Sequence, residues 1–341
     1  MTVRTLPRFN DMHVHLRVEP MLSEVLRWTA SLCDHALIMP NLAEPVTNAA
    51  RLMLYRDMIM AAVSTLPVGK LFRPLMTIYL TDDTTPQMIE EARAAGAVAA
   101  KLYFRGTTTN AHHGVTDLWR LRPVFAEMSK QGMVLCIHGE KAVGCVTDWE
   151  AEFLPDLVRL ANDFPDLRIV MEHVTTSAAV SCIKMLDNVA ATITAHHQLL
   201  TLNDVIGFGQ IKPLNFCMPV AKKEPDRAAL VEIATSAHPR FFFGSDSAPH
   251  LKGNKLCACG AAGVFSAPVL ASVLADVFEK AGALDALSAF TSANARFWYG
   301  LPSSSGSIDI VREPYVVPAE IGGVVPFLAG QTLPWRVIGD H

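Results

Sequence analysis

Short apolar runs alternate along this chain with longer segments in which apolar residues recur at helical spacing. The short runs are rich in β-branched residues, which favour strands. Eight strands are predicted, at Phe9–Val14, His35–Met39, Arg73–Leu80, Val98–Phe104, Met133–His138, Arg168–His173, Ala190–Ala195 and Arg240–Gly244. Helices are predicted at Ala49–Val63, Pro86–Ala95, Leu118–Lys130, Glu150–Asn162, Ser177–Asp187, Asp226–Ser236 and Ser266–Ala281. This alternation indicates an α/β fold with a parallel sheet covered by helices.

Composition and length narrow the class of protein. The chain has 341 residues, of which 50% are hydrophobic and 18% charged, so we expect a globular protein. That length fits one (β/α)8 barrel of about 250 residues with additions. We therefore expect residues 1–341 to form a single barrel domain with a short C-terminal extension.

Charge and cysteine usage exclude several partners. The formal net charge is −4 and the basic residues are scattered, so we expect no nucleic-acid binding. No apolar run reaches the roughly 18 residues that cross a membrane, and no signal-peptide pattern begins the chain. The chain has seven cysteines, and we expect all of them to be reduced thiols. Cys257 and Cys259 lie close together in the sequence, but two thiols alone make a poor metal site. We expect a cytoplasmic protein that acts on a small molecule.

The first predicted strand leads into a histidine pair, His13 and His15. Alternate side chains of a strand point the same way, so both imidazoles can bind one metal ion. Imidazole suits zinc and other first-row metals. Further candidate ligands stand near the ends of later strands: Lys101, His138, His173 and Asp246.

The positions of these candidates distinguish two sheet arrangements. A closed barrel and an open doubly wound sheet produce similar patterns. Only a barrel brings the ends of the first, fourth, fifth, sixth and eighth strands to one mouth. We therefore predict a (β/α)8 TIM barrel that carries a metal-dependent hydrolase site at its C-terminal mouth.

Lys101 lies inside a predicted strand, where a charged side chain is costly unless it is paired or modified. Three interpretations are open: a side chain that reaches solvent at the rim, a Schiff-base amine activated by desolvation, and a carbamate formed with carbon dioxide. A carbamate is an anion with two oxygens and can bridge two metal ions. With four histidines nearby, we favour the carbamate.

Asp246 follows the last predicted strand. It is either a helix N-cap or, as we favour, a metal ligand that also moves protons. A hydroxide that bridges two metal ions would be the nucleophile, because metal binding lowers the pKa of water. Asp246 would take its proton and deliver it to the leaving nitrogen.

Polar residues near the same strand ends are candidates for substrate binding. Arg17 follows His15 by two residues and suits a carboxylate group. Asn41 and His250 are further candidates, against the simpler interpretations of a turn residue and a solvent-exposed loop residue. The polar segment 105–114 either closes over the site or is an ordinary mobile loop.

Together these segments make the chain resemble the dihydroorotases of the shorter, bacterial-type class II group within the amidohydrolase superfamily. The matching stretches run in family order across nearly the whole chain: Asp11–Arg17, Met39–Thr47, Ala100–Tyr103, His113–Thr116, Ile137–Glu140, Glu172–Thr176, Asp246–His250 and Val325–Gly330. Met39–Leu42 and Asp246–His250 are the most specific. Segment 194–198 departs from the family pattern, in which a proline usually follows the threonine.

The resemblance implies a barrel of the metal-dependent amidohydrolase type, in a homodimer, with two zinc ions per subunit bridged by carboxylated Lys101. One zinc would be bound by His13, His15 and Asp246, and the other by His138 and His173. It also implies that Arg17, Asn41 and His250 contact the substrate carboxylate. Thr108 and Thr109 would contact the substrate from the loop, and backbone groups of Met218 and Ala262 would contact the ring amide.

The favoured function is the reversible cyclisation of N-carbamoyl-L-aspartate to L-dihydroorotate in pyrimidine biosynthesis. A hydantoinase, dihydropyrimidinase or allantoinase would use the same machinery, but a substrate without a carboxylate would leave Arg17 without a partner. A lyase or aldolase that uses Lys101 as a Schiff base is a third hypothesis. A non-catalytic binding protein is the fourth.

Overall fold

The structure, a computed structural model, describes residues 2–67, 71–207, 209–304 and 306–339. A short outer strand, β1 (Val3–Pro7), precedes a sheet of eight parallel strands. These are β2 (Phe9–Val14), β3 (Cys33–Ile38), β4 (Arg73–Tyr79), β5 (Ala97–Leu102), β6 (Val134–His138), β7 (Ile169–Glu172), β8 (Val189–Ile193) and β11 (Phe241–Phe243). All eight predicted strands are confirmed, each to within two residues at either end.

The sheet closes into a barrel. Neighbouring strands pair in parallel from β2 through β8 and then to β11. Past the regular strands, Val14 bridges Ser247 in parallel, and the backbone amide of Asp246 donates to the carbonyl of His13 at 2.8 Å. These contacts join the first strand to the segment after the last, which confirms the predicted (β/α)8 barrel. The strands are almost wholly buried because helices cover the barrel outside and side chains fill it inside.

Ten helices surround the strands in the part of the chain that the structure describes. They are α1 (Met21–Leu32), α2 (Ala49–Ser64), α3 (Pro86–Ala94), α4 (Arg122–Lys130), α5 (Trp149–Asp163), α6 (Ser177–Lys184), α7 (Glu224–Thr235), α8 (Lys252–Lys255), α9 (Leu270–Lys280) and α10 (Asn294–Tyr299). Two predicted helices begin as 3-10 turns, Leu118–Leu121 before α4 and Ala267–Val269 before α9. Pro123 stands in the first turn of α4, and Pro268 stands in the 3-10 turn before α9. Other short turns lie at Leu202–Asp204, Pro213–Asn215, Leu284–Ala286 and, as a π-helix, Ala289–Ala293.

The α1 helix was not predicted. Its residues Leu22, Val25, Leu26 and Thr29 face the core at helical spacing, so the periodic signal is present. No side chain caps its N-terminus, which follows Pro20, so the usual start signal is missing.

The C-terminal segment packs against the barrel. Strand β12 (Ser307–Val311) pairs antiparallel with β1 and with β15 (Arg336–Val337), while β13 (Tyr315–Val316) pairs with β14 (Thr332–Leu333). Trp335 is fully buried, and its indole Nε1 donates to Glu279 Oε2 at 3.0 Å. A separate hairpin joins β9 (Ile206–Gly207) to β10 (Gln210–Ile211). No helix among the described residues combines the length and the apolar character needed to cross a bilayer.

Candidate metal centre and substrate cavity

Three predicted metal ligands meet at the C-terminal mouth of the barrel. His13 Nε2 lies 3.3 Å from His15 Nε2. Asp246 Oδ1 lies 3.3 Å from His13 Nε2 and 3.2 Å from His15 Nε2. Ligand atoms bonded at about 2.0–2.1 Å to one tetrahedral zinc ion stand roughly 3.3 Å from each other. These three buried residues, which we call the first cluster, therefore have the spacing that a shared metal ion requires.

Asp11 holds the first cluster together. Its Oδ1 accepts hydrogen bonds from the backbone amides of His13 at 3.2 Å and Ser245 at 2.7 Å, which lie on the first barrel strand and just after the last. Asp246 itself has φ +42°, a left-handed conformation that costs of order 1–3 kcal/mol in a residue other than glycine. Such a conformation persists only where neighbouring contacts determine it, and the bonds between these two segments do so.

Burial sets the protonation of the first cluster. Burial, with a further effect of the Lys101 charge, lowers the pKa of His13 to about 3, so its imidazole is neutral near pH 7. Burial alone would raise the pKa of Asp246, but the neighbouring His13 and the hydrogen bonds with His13 and His15 hold it well below its usual range. Neutral imidazole and ionised carboxylate are the forms that bind a metal ion.

The remaining predicted histidines stand beside the first cluster. The ring of His173 lies 4.9 Å from that of His13 and 4.8 Å from that of His138, measured between centroids. The His173 backbone, at φ +42°, is fixed by a 2.7 Å hydrogen bond from its amide to Thr192 Oγ1. Its Nδ1 is buried and has no hydrogen-bond partner among the described residues. A buried ring nitrogen of this kind suits a metal ion.

Lys101 points into the barrel between the histidines. Its side chain is fully buried, which contradicts the interpretation that it reaches solvent at the rim. Burial lowers the pKa of Lys101 to about 7, so a large fraction of the amine is neutral near pH 7. A neutral amine is the nucleophilic form, both for a carbamate and for a Schiff base.

Two buried glutamates contact the predicted ligands and were missed by the sequence analysis. Glu172 Oε2 contacts His13 Nδ1 and lies 3.2 Å from Lys101 Nζ. Glu140 Oε2 lies 2.8 Å from His138 Nε2. Each glutamate stands within two residues of a predicted ligand in the sequence, and that proximity was the available signal.

The residues predicted to bind a substrate carboxylate form a second part of the mouth. Arg17 Nη2 lies 3.1 Å from His250 Nε2, and Arg17 Nε donates to the carbonyl of Pro249 at 3.0 Å. Burial, followed by the Arg17 charge, lowers the pKa of His250 to about 3, so this imidazole is neutral. His250 is half-buried, with its Nε2 2.9 Å from the Ala262 carbonyl, and is not a solvent-exposed loop residue.

One small cavity opens at this mouth. Of the predicted substrate contacts, His250 lies behind the cavity wall, and the others line it: Arg17, Asn41, Thr108, Thr109, Met218 and Ala262. The loop 105–114 lies against the mouth, because Thr109 Oγ1 donates to the Ala262 carbonyl at 3.4 Å and Asn110 Nδ2 donates to the Asn41 carbonyl at 3.0 Å. The cavity also receives Tyr103, which was not predicted and whose buried hydroxyl has no partner among the described residues.

A second group of donor atoms lies after β8, where no metal ligand was predicted. His196, His197 and Cys217, the second cluster, are all buried. Thr194 Oγ1 accepts from the backbone amide of His197 at 3.0 Å and also lies 3.0 Å from its Nδ1. The exposed Cys257 and Cys259 are free thiols, as are the other five cysteines.

Comparisons with known proteins agree with this geometry. Residues 70–249 match the family model described as amidohydrolase. The chain is 46% identical over 347 aligned residues to a dihydroorotase of Neisseria meningitidis serogroup C, with 99% of each chain covered. It is also 46% identical to a dihydroorotase of an Azoarcus species, with 98% of each covered.

Solved structures are similar over the same extent. A dihydroorotase from Campylobacter jejuni has a TM-score of 0.91 and 37% identity, and a dihydroorotase from Saccharomyces cerevisiae, in complex with 5-fluoroorotic acid, has 0.92 and 35%. Each comparison covers 99% of this chain and 98% of the other. An L-hydantoinase from Arthrobacter aurescens, at 15% identity and a TM-score of 0.81, shares the fold.

Proposed function

Because this chain belongs to the bacterial-type dihydroorotases of the amidohydrolase superfamily, we propose that its barrel mouth interconverts N-carbamoyl-L-aspartate and L-dihydroorotate in pyrimidine biosynthesis. As a member of that family it is an enzyme that hydrolyses a cyclic amide. The observation that carries the proposal is the meeting of two kinds of group at one cavity. Metal-type donors and Arg17, which suits a carboxylate, line the same cavity.

The donor set fits two zinc ions. His13, His15 and Asp246 would hold one, and the 3.2–3.3 Å distances between their ligand atoms support this assignment. His138 and His173 would hold the other, and the unpartnered His173 Nδ1 supports it. Carboxylated Lys101 would bridge the two. Bound there, the metal ions activate water and polarise the amide carbonyl.

Asp246 moves the proton. It is ionised and lies at the mouth between the donor atoms and the cavity. In hydrolysis it accepts a proton from the attacking water and gives it to the departing ring nitrogen. In synthesis it accepts a proton from the ureido nitrogen. Ring closure consumes one proton overall, so acidic pH favours synthesis and alkaline pH favours hydrolysis.

The other cavity residues orient the substrate. Arg17 and Asn41 line the cavity and would hold the substrate carboxylate, and the Arg17 guanidinium can meet both of its oxygens. His250 would join them from beside Arg17, whose Nη2 lies 3.1 Å from His250 Nε2. Thr108 and Thr109 close over the substrate and exclude water. Backbone groups at two further positions hold the ring amide: Met218 and Ala262.

The test is the rate of L-dihydroorotate hydrolysis by zinc-loaded enzyme, compared with enzyme stripped by a chelator. We expect turnover that depends on metal. Arg17→Ala should lower kcat/KM by roughly 100-fold, because a buried charge-assisted contact to the carboxylate is lost. It should leave the zinc content unchanged. Arg51→Ala is the control, since Arg51 is exposed on α2.

Two outcomes would contradict the proposal. Metal-independent turnover, or borohydride trapping of Lys101 with a carbonyl substrate, would favour a Schiff-base enzyme. Unchanged kcat/KM in Arg17→Ala would favour a substrate without a carboxylate, such as a hydantoin. Beyond the site, we propose that residues 1–341 act as one domain, in a homodimer, in the cytoplasm.

A further inference from the structure

Glu172 is the last residue of β7, and its side chain points into the barrel beneath the metal-type donors. The side chain is fully buried. Oε2 contacts His13 Nδ1 and lies 3.2 Å from Lys101 Nζ. Oε1 has no hydrogen-bond partner among the described residues. One carboxylate oxygen is therefore shared by two groups that reach it from β2 and β5.

We propose that Glu172 is a positioning residue that aligns His13 and Lys101 with each other for metal binding. It does not touch the substrate cavity, whose lining does not include it. It acts through the two side chains that it holds. This inference rests on the proposed function, since it assumes that metal ions bind at the first cluster.

The contact with His13 selects a tautomer. A neutral imidazole carries its proton on only one nitrogen, and a carboxylate oxygen accepts hydrogen bonds but donates none. Once a metal ion is bound, a hydrogen bond from His13 Nδ1 to this oxygen would keep the proton on Nδ1 and leave the Nε2 lone pair for the metal. Nε2 is the atom that lies 3.3 Å from both His15 Nε2 and Asp246 Oδ1. Carboxylate–histidine pairs of this kind orient metal ligands and make them more basic.

The contact with Lys101 would fix the orientation of a carbamate formed on that side chain. A carbamate on Lys101 would retain one N–H bond, and the carbamate group is planar. An oxygen of Glu172 that accepts this N–H would set the orientation of the plane, and with it the directions of both carbamate oxygens. The same Oε2 atom would therefore relate the orientation of the bridging group to that of His13.

Glu140 and Glu172 differ in the lysine that lies near each of them. Glu140 contacts His138 and has a lysine nearby, since Lys222 Nζ lies 3.9 Å from Glu140 Oε1. Among the described residues, the one lysine or arginine in an ion pair with Glu172 is Lys101. Carboxylation of Lys101 would turn that cation into an anion, and the metal ions would then balance both negative charges.

The experiment compares Glu172→Gln with wild type and with Asp34→Asn. Asp34 is a buried carboxylate that pairs with Arg8 at 3.1 Å, away from the cavity, so its variant reports the general effect of neutralising a buried acid. Zinc affinity would be measured by competition with a chelator. Carbamate would be measured by carbon-13 NMR after reconstitution with labelled bicarbonate. We expect Glu172→Gln to bind zinc roughly 10- to 100-fold more weakly and to give a reduced carbamate signal.

Asp34→Asn should keep wild-type zinc affinity even if its melting temperature falls. Wild-type zinc affinity and carbamate in Glu172→Gln would overturn the inference. If wild type itself bound no zinc, the proposed function would fail first, and the two failures are thus distinguishable. Should Glu172→Gln not fold, a crystal structure of zinc-loaded wild type decides, because a separation above about 3.5 Å between Glu172 and His13 Nδ1 is not a hydrogen bond and would refute the role.

Discussion

The first and second clusters each contain two buried histidines and a third potential ligand, yet they differ in what those side chains are free to bind. In each cluster the three potential ligand atoms lie within 4.8 Å of one another. In the first cluster, His13 and His15 turn their Nε2 atoms toward Asp246, an ionised carboxylate. In the second, His197 Nε2 lies 3.0 Å from the carbonyl of Pro219. Proximity of donors is therefore common to both, and hydrogen bonding separates them.

Donor and acceptor roles explain the difference. A carbonyl only accepts, so His197 Nε2 carries the proton, and its Nδ1 must accept from the Thr194 hydroxyl. No lone pair of His197 remains for a metal ion. Burial raises the pKa of Cys217 far above its usual value, so it stays a thiol, whereas metal ions bind the thiolate. In the second cluster only His196 keeps ring nitrogens without a hydrogen-bond partner among the described residues, so the three residues do not offer three ligands together. The first cluster is suited to a metal ion.

The largest effect is expected on kcat when Asp246, the carboxylate that has no counterpart in the second cluster, is replaced. Asp246→Asn should lower kcat for L-dihydroorotate hydrolysis by roughly 10²- to 10⁴-fold, because the group that moves the proton is lost. Cys217→Ser, in the second cluster, should change kcat less than about threefold by the same reasoning. Steady-state kinetics of both variants check this. Equal losses in the two would break the comparison.

The second-largest effect is expected on zinc content, which should respond to a change in the first cluster and not to one in the second. His15→Asn removes a donor from the first cluster, so the purified protein should hold fewer than the about two zinc ions expected for a two-metal site. His196→Leu should retain the wild-type content. Elemental analysis by mass spectrometry measures both. Zinc lost from His196→Leu but kept in His15→Asn would reverse the assignment.

Stability should respond in the second cluster. Thr194→Val removes the hydroxyl that serves both the backbone amide and the Nδ1 of His197. Leaving buried groups unpaired costs about 1–3 kcal/mol, so the free energy of unfolding should fall by that amount while zinc content stays the same. Urea titration measures it. Thr5→Val on outer strand β1 is the control, and an equal loss there would show that the effect is not specific to this cluster.

The smallest effect is expected on the pH dependence of stability. Burial lowers the pKa of His196 from 6.5 to about 4. Between those values the unfolded chain binds more protons than the folded one, so stability falls as pH drops from about 6.5 to 4. His196→Leu removes this term, and about one proton fewer should be taken up on unfolding at pH 5. Stability measured from pH 7 to 4 checks it. His112→Leu, at an exposed histidine, is the control. A pH dependence of stability in His196→Leu that matches wild type and this control would contradict the prediction.

The fold could be predicted because its signals are local. Eight apolar runs and seven helical patterns lie within single segments, and their boundaries moved by only a few residues in the structure. Candidate ligands such as His13, His138 and Asp246 could be predicted for a related reason. Residues at the C-terminal ends of barrel strands share one mouth, whatever the details of packing. The α1 helix was missed although its buried residues recur at helical spacing.

The supporting contacts could not be predicted from local pattern. Lys101 and Glu172 are 71 residues apart and meet only because the barrel closes. The sequence marked segment 194–198 only as a departure from a family pattern, and gave no indication that His197 is bonded to Thr194 and Pro219. Such pairings depend on strand tilt and stagger around the barrel, which a linear pattern does not encode.

The sequence by itself determined the barrel, the types of the candidate ligands and their common location, because side-chain periodicity and strand order are properties of the chain. Only the tertiary structure decided which buried donors have a free lone pair. His13 and His197 are both buried neutral histidines near other donors, and they differ only in the partner of each ring nitrogen. Those partners come from distant segments, so they exist only once the barrel has closed.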